Sequence, residues 1–154
     1  MGLNLGDLSL SSPAFDNGGA IPRRHTSEGD DVSPAVEWSN VPEGTSEFVL
    51  VCHDPDAPLV RGFTHWVVYG IPASGTGIGE GGGGEFTEGQ NDFGNTGYNG
   101  PAPPEGHGPH HYYFWVYALD TGLDASPGLT REQLLDCIEG HVIEQARLVG
   151  TYER

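Results

Sequence analysis

The 154-residue chain has no lysine, and its six arginines face 22 acidic residues, for a formal net charge of −16. That balance excludes the clustered cationic footprint of a nucleic-acid-binding surface. It equally excludes a polybasic patch docked on an anionic membrane. Two cysteines, Cys52 and Cys137, make neither a disulfide framework nor a zinc knuckle. Each falls in an apolar pattern, so both are expected as small buried hydrophobes in a reducing cytoplasm. Residues 1–12 lack the basic start and apolar stretch of a secretory signal. No apolar run approaches the roughly 20 residues of a membrane-spanning helix. Hydrophobic residues are scarce at 36%, and 15 aromatics (six Phe, six Tyr, three Trp) make up part of the deficit.

What is present is punctuated. The 25 glycines and 12 prolines stand between apolar runs without a fixed period, so collagen-like and disordered chains are both excluded. The acids are spread along the chain instead of forming a tail. With lysine absent, short hydrated carboxylates replace long apolar stems, which points to a halophilic source. Self-repulsion of this size is damped only when salt shortens the Debye length.

Short apolar runs bounded by Gly, Pro, Asn and Asp predict a mostly β protein, a sandwich or barrel. Strands are expected at Leu8–Leu10, Ala35–Trp38, Glu47–His53, Thr64–Ile71, Tyr112–Leu119 and Leu148–Tyr152. The continuous apolar character of Glu47–His53 predicts burial on both faces. One helix is expected. Thr130 and Gln133 form a capping box, and Leu134, Leu135, Ile138, Val142, Ile143 and Ala146 then recur at three- and four-residue steps, with Gly140 as a weakness. Residues 75–100, rich in glycine, read as a long loop. No repeat or boundary divides the chain, so residues 1–154 are expected to be one domain.

Three clusters carry chemistry. His53-Asp54-Pro55-Asp56-Ala57-Pro58 follows the buried strand, and its prolines stiffen a turn bearing two carboxylates. An ordinary acidic turn has the same composition. The crowding of this box makes Ala57–Pro58 a candidate cis peptide. Thr64-His65-Trp66 places an imidazole in a buried strand, where a satisfied core histidine is the everyday explanation. Residues 100–112, Gly-Pro-Ala-Pro-Pro-Glu-Gly-His-Gly-Pro-His-His-Tyr, form a stiff loop that delivers imidazoles and a phenol to a strand start.

In this order and at these spacings the clusters resemble the phosphatidylethanolamine-binding protein family, to which Raf kinase inhibitor protein belongs. Phe15-Asp16-Asn17-Gly18-Gly19-Ala20-Ile21-Pro22, Ser33-Pro34-Ala35-Val36-Glu37-Trp38, Asn91-Asp92-Phe93-Gly94, Gly97-Tyr98-Asn99-Gly100-Pro101, Tyr117-Ala118-Leu119-Asp120 and Gly150-Thr151-Tyr152 extend the likeness over nearly the whole chain. The compact length and Ala118-Leu119-Asp120 resemble the bacterial and archaeal branch. The resemblance implies a β-sandwich of antiparallel sheets with a Greek-key element and one or two peripheral helices.

It also implies a ligand pocket made by Asp54, Asp56, Pro58, His65, Pro104, His110 and Tyr112, with no cofactor. The ligands implied are small anions: phosphate, phosphoethanolamine or a carboxylate. A homodimer is implied too, as is a protein partner such as a kinase or protease. In one place the chain departs from the pattern: His111 stands where many members have Arg, which removes a permanent charge and a bidentate fork.

An anion beside two carboxylates requires an explanation. Either one carboxyl is protonated by its neighbour, or the acids hold His65 and His110 cationic. Tyr112 adds a hydroxyl donor. No Ser, Cys or Lys joins the motif boxes, and Thr64 should point to the opposite face of its strand from His65. A binding or regulatory protein is therefore expected, not an enzyme. A metal-dependent hydrolase is the alternative, because His53, Asp54, Asp56, His65, His107, His110 and His111 are rich in potential donors, although no His-Glu-x-x-His pattern occurs.

Overall fold

β3 (Glu47–Asp54) is the strand around which the rest is arranged, and every residue from Phe48 to Asp54 is buried. In the computed structural model, which describes residues 6–154, it is the middle strand of a five-stranded antiparallel sheet. β4 (Phe63–Pro72) lies on one side, followed by the short edge strand β6 (Thr87–Glu88); β7 (His110–Leu119) lies on the other, followed by β8 (Val142–Tyr152). A three-stranded sheet of β1 (Ser9–Ser11), β2 (Val36–Ser39) and β5 (Gly77–Ile78) covers one face. The helix α1 (Arg131–Ile138) covers part of the other.

Alternation along β3 separates two cores. Phe48, Leu50 and Cys52 face the small sheet and pack with Leu10, Val36 and Trp38. Val49 and Val51 face outward and pack with Leu134 and Ile138 of α1. Covering both faces is why a continuous apolar run suits this strand.

The expected strands are present within a residue or two, except that β8 is longer. The helix ends at Ile138, not at Ala146, and residues 142–146 are strand. Gly140 stands at φ +82° and turns the chain. The β-branched pair Val142–Ile143 then runs along β7, from Leu119–Val142 to His110–Tyr152, and satisfies an otherwise open edge. The capping box at Thr130 and Gln133 forms as expected, with both reciprocal hydrogen bonds.

Three further expectations are corrected. Residues 75–100 are not one loop, since β5, β6 and a short 3-10 turn at Gly83–Glu85 lie within them. Cys137 is exposed, and only Cys52 is buried. The described residues contain no cis peptide bond, so Ala57–Pro58 is trans. Two tight local bonds reverse the chain there. Asp54 Oδ1 accepts from the Asp56 N–H at 2.7 Å, an Asx-turn. The Ala57 carbonyl accepts from the Leu59 N–H at 2.7 Å, a γ-turn centred on Pro58.

Candidate functional site

The ends of β3, β4 and β7 meet beside the two proline-rich loops. Asp54 is the last residue of β3, on the same face as Phe48, Leu50 and Cys52. His110 opens β7, and Tyr112, two residues on, shares its face. His65 gets there by a different route. Cys52 pairs with Trp66 and His53 with Thr64, so the register slips by one and His65 is the extra residue of a bulge. Strict alternation would turn His65 away from the face that Trp66 shares with Tyr112. The bulge instead brings the His65 and Tyr112 rings within 5.3 Å. As expected, Thr64 faces the other way, where its hydroxyl is 3.0 Å from His53 Nδ1.

These four side chains form the polar floor of a cavity of about 260 Å³, bounded by apolar walls from Pro58, Leu59, Phe63, Phe93, Pro103 and Pro104. Asp54, His65, His110 and Tyr112 are all buried. His110 Nδ1 donates to Asp54 Oδ2 at 2.7 Å. His110 Nε2 lies 2.7 Å from Nδ1 of exposed His107. His65 Nδ1 donates to the Asn99 carbonyl at 2.7 Å, which fixes its proton there and aims the Nε2 lone pair elsewhere. Asn99 is itself held by Asn91 at 2.8 Å and by Asp31 at 3.2 Å. Asp31 adopts φ +57° while also accepting from the Gly100 N–H at 2.7 Å. Neither the Tyr112 hydroxyl nor His65 Nε2 has a hydrogen-bond partner among the described residues.

Burial sets the protonation of this floor. It pushes the Tyr112 phenol well above its ordinary value, with the Asp54 charge adding to the effect, so Tyr112 remains an O–H donor. It lowers His65, against the opposing pull of the Asn99 carbonyl and of Asp54, and keeps that ring neutral. His65 is thus not held cationic by the acids, since its partner is a main-chain carbonyl.

Of the seven residues expected at the site, six line the cavity and Asp56 does not. Asp56 is exposed and turned toward His111, accepting from both its backbone N–H and its Nδ1 at 2.7 Å. Burial opposes ionisation of Asp56, but these His111 bonds outweigh it and hold the carboxyl below its usual range. Asp54 and Asp56 therefore do not share a proton. His111 spends its ring on Asp56, outside the cavity lining. Sequence reasoning missed the walls Leu59, Phe63 and Phe93, as well as the role of His107. Phe93 carries a visible signal, an apolar residue in a Gly/Asn-rich polar segment, and it is 46% exposed. Among the described residues no three His, Cys, Asp or Glu side chains are grouped as a shared metal ion would need. His53 lies on the outer sheet face with Thr64, apart from the cavity.

Residues 11–153 match the model of the phosphatidylethanolamine-binding protein family, and the chain belongs to that family. A UPF0098 protein of Pyrococcus abyssi is 47% identical, over 93% of this chain and 84% of its own. The crystal structure of a phosphatidylethanolamine-binding protein homolog from Chlamydia trachomatis superposes with a TM-score of 0.90 at 38% identity, covering 96% of this chain and 97% of that one. YbcL of E. coli, described as a member of the mammalian family, gives a TM-score of 0.90 at 32% identity, over 97% and 99% of the two chains.

Proposed function

We propose that this protein binds a small oxyanion, of phosphate or carboxylate type, on the floor formed by Asp54, His65, His110 and Tyr112. The observation that carries the proposal is the pair of unspent polar atoms, Tyr112 Oη and His65 Nε2, on the floor of an otherwise apolar cavity. A donor and an acceptor side by side suit a ligand group that has both, such as a phosphomonoester retaining one hydroxyl. Apolar walls then take whatever the head group is attached to. Asp54 is already engaged by His110 and by the Asp56 N–H, so it meets the ligand through His110.

The cavity lining holds no Ser, Thr, Cys or Lys. The hydroxyl, thiol and amine nucleophiles of Ser, Thr, Cys and Lys are thus missing from it, and Asp54 and His110 are engaged with each other, which favours a binding or regulatory role over turnover. In the cell we read the chain as a cytoplasmic, salt-adapted homodimer that offers the occupied pocket to a partner such as a kinase or protease. Calorimetry with phosphate at fixed high salt is expected to give saturable heat for the parent and none for His65→Ala. Equal affinity in both would remove the site assignment.

A further inference from the structure

One nitrogen of the site is neither free nor spent on the scaffold. His110 Nε2 is held at 2.7 Å by His107, a side chain that is exposed and outside the cavity lining. The three groups form a chain, Asp54 Oδ2 to His110 Nδ1 at 2.7 Å and His110 Nε2 to His107 Nδ1 at 2.7 Å. It runs from a buried carboxylate to solvent.

His107 stands on a glycine-flanked turn at the surface. Gly106 and Gly108 flank it at φ +74° and +83°, a region glycine enters without strain. The adjacent anchors are backbone bonds only, Gly106 N–H to the Arg154 carbonyl at 3.0 Å and His107 N–H to the Pro104 carbonyl at 3.2 Å. Turning the exposed His107 side chain about its own bonds would leave His110 in place, since His110 is paired within β7 opposite Tyr152.

Proton count decides what the chain permits. Asp54 is an acceptor, so His110 Nδ1 carries a proton. In the neutral pair His107 Nδ1–H donates to the His110 Nε2 lone pair, and that nitrogen repels an oxyanion. With one added proton His110 is cationic, and its Nε2–H can point at His107 or at a ligand oxygen. Two added protons set N–H against N–H and expel His107. The surrounding groups act on this equilibrium from every side. Asp54 of β3, bonded to His110 Nδ1, and exposed Asp56 are the carboxylates on this side. His65 of β4 and Tyr112 of β7 are neutral, by burial in each case. Tyr152 of β8 is a neutral phenol, His111 is engaged with Asp56, and Glu105 precedes the hinge.

Resting on the oxyanion reading above, we propose that His107 is the gate of the pocket: it occupies His110 Nε2, and an oxyanion enters by displacing it together with the uptake of one proton. His107 is thus a positioning residue that makes occupancy sensitive to pH, and the ligand is recognised by a cationic His110 backed by Asp54.

Sulfate is the probe for this, because it keeps both charges across the range and carries no proton of its own. Titration calorimetry at constant ionic strength, in buffers of different ionisation enthalpy, gives affinity and protons per sulfate at about pH 5.5 and about pH 8.5. The expected results are an affinity at least about tenfold higher at the lower pH and an uptake near one proton at the higher. His107→Ala removes the competitor and is expected to tighten binding by about fivefold, the worth of one hydrogen bond, while the uptake persists. Nitrogen-15 shifts of the two rings, titrating together in the parent and separately once sulfate is bound, give a readout that a structural role for His107 would not move. Sulfate bound with no proton uptake overturns the gate and leaves the oxyanion site standing; where only phosphate binds, because sulfate has no hydroxyl for the His65 Nε2 lone pair, phosphate bound with no uptake beyond that of its own ionisation overturns the gate equally. Weaker sulfate binding in His107→Ala overturns it too, since His107 would then be a ligand donor. Binding of neither anion at either pH overturns the gate and the oxyanion reading together.

Discussion

His53 and Asp54 are consecutive on β3, yet they serve opposite faces of one sheet with opposite outcomes. On the outer face His53 borders an open surface groove that Arg61, Arg131 and Glu132 also line. Its Nδ1 is 3.0 Å from the Thr64 hydroxyl, and Gly62 packs so close that a Cβ there would come within 2.7 Å of its Nε2. On the inner face Asp54 and His65 open onto a cavity, and His65 Nε2 has no hydrogen-bond partner among the described residues. Both histidines are buried, and burial lowers both, His53 to about 4. Desolvation alone therefore does not distinguish a scaffold histidine from a binding one. What distinguishes them is what each face brings to the ring: the charged side chains of Arg61, Arg131 and Glu132 around His53, and the Tyr112 hydroxyl with apolar walls around His65.

Breaking the outer face should have the largest effect on stability. Leu134→Ala empties the fully buried contact between α1 and Val49, Val51 and Val67. A loss of about 2–5 kcal/mol is expected in denaturant unfolding at fixed salt, with ligand affinity of the folded fraction unchanged. A comparable change in affinity would mean that the two faces are coupled.

Asp54→Ala should cost less in stability but abolish binding. It strands His110 Nδ1–H in the interior, worth about 1–3 kcal/mol, whereas the N–H of exposed Asp56 can turn to water. Unfolding and phosphate calorimetry on one sample separate the two effects.

A pH series sharpens the contrast between the histidines. His53 titrates near 6.5 when unfolded and at about 4 when folded. Between those values the unfolded chain binds one more proton, so stability rises with pH, by about 1.4 kcal/mol per pH unit from this residue, and is lost as pH falls toward 4. His53→Gln should flatten that slope at every ligand concentration. His65 acts in the same direction, but its contribution should change once the pocket is filled. If saturating phosphate leaves the slope of the His53→Gln variant untouched, His65 takes no part in binding.

The smallest effect is expected at the outer rim. Arg61 Nη1 and Glu132 Oε2 are 3.0 Å apart with both side chains well exposed. Glu132→Gln should change stability by less than about 1 kcal/mol, and by less still in molar salt, where the Debye length is about 3 Å.

Much of this comparison is legible in the residues themselves. The doubly covered β3, the capping box of α1 and the two Pro-rich boxes that flank the site all follow from local pattern. The face-by-face outcome does not. Asp56 sits in the right box and points out of the cavity, because its partner His111 lies 55 positions away. His65 would face outward by strict alternation and is turned inward by a bulge defined only in the pairing with β3.

What the sequence determined by itself is therefore whatever depends on near neighbours. The period of two in β3 follows from alternating contact with two cores, the start of α1 from Thr130 and Gln133, and the chain reversals from Pro, Gly and Asx side chains. Tertiary structure decided whatever depends on distant partners. Residues 142–146 carry a helical spacing, yet they became strand because pairing along β7 satisfies a whole row of backbone groups that a longer helix would have left open. Asp54 and His110, 56 residues apart, became one buried unit, with His107 on the remaining nitrogen, only because the ends of β3 and β7 are adjacent. Local preferences are worth tenths of a kcal/mol per residue, and an unpaired buried polar group costs about 1–3 kcal/mol. Where the two compete, the long-range pairing prevails.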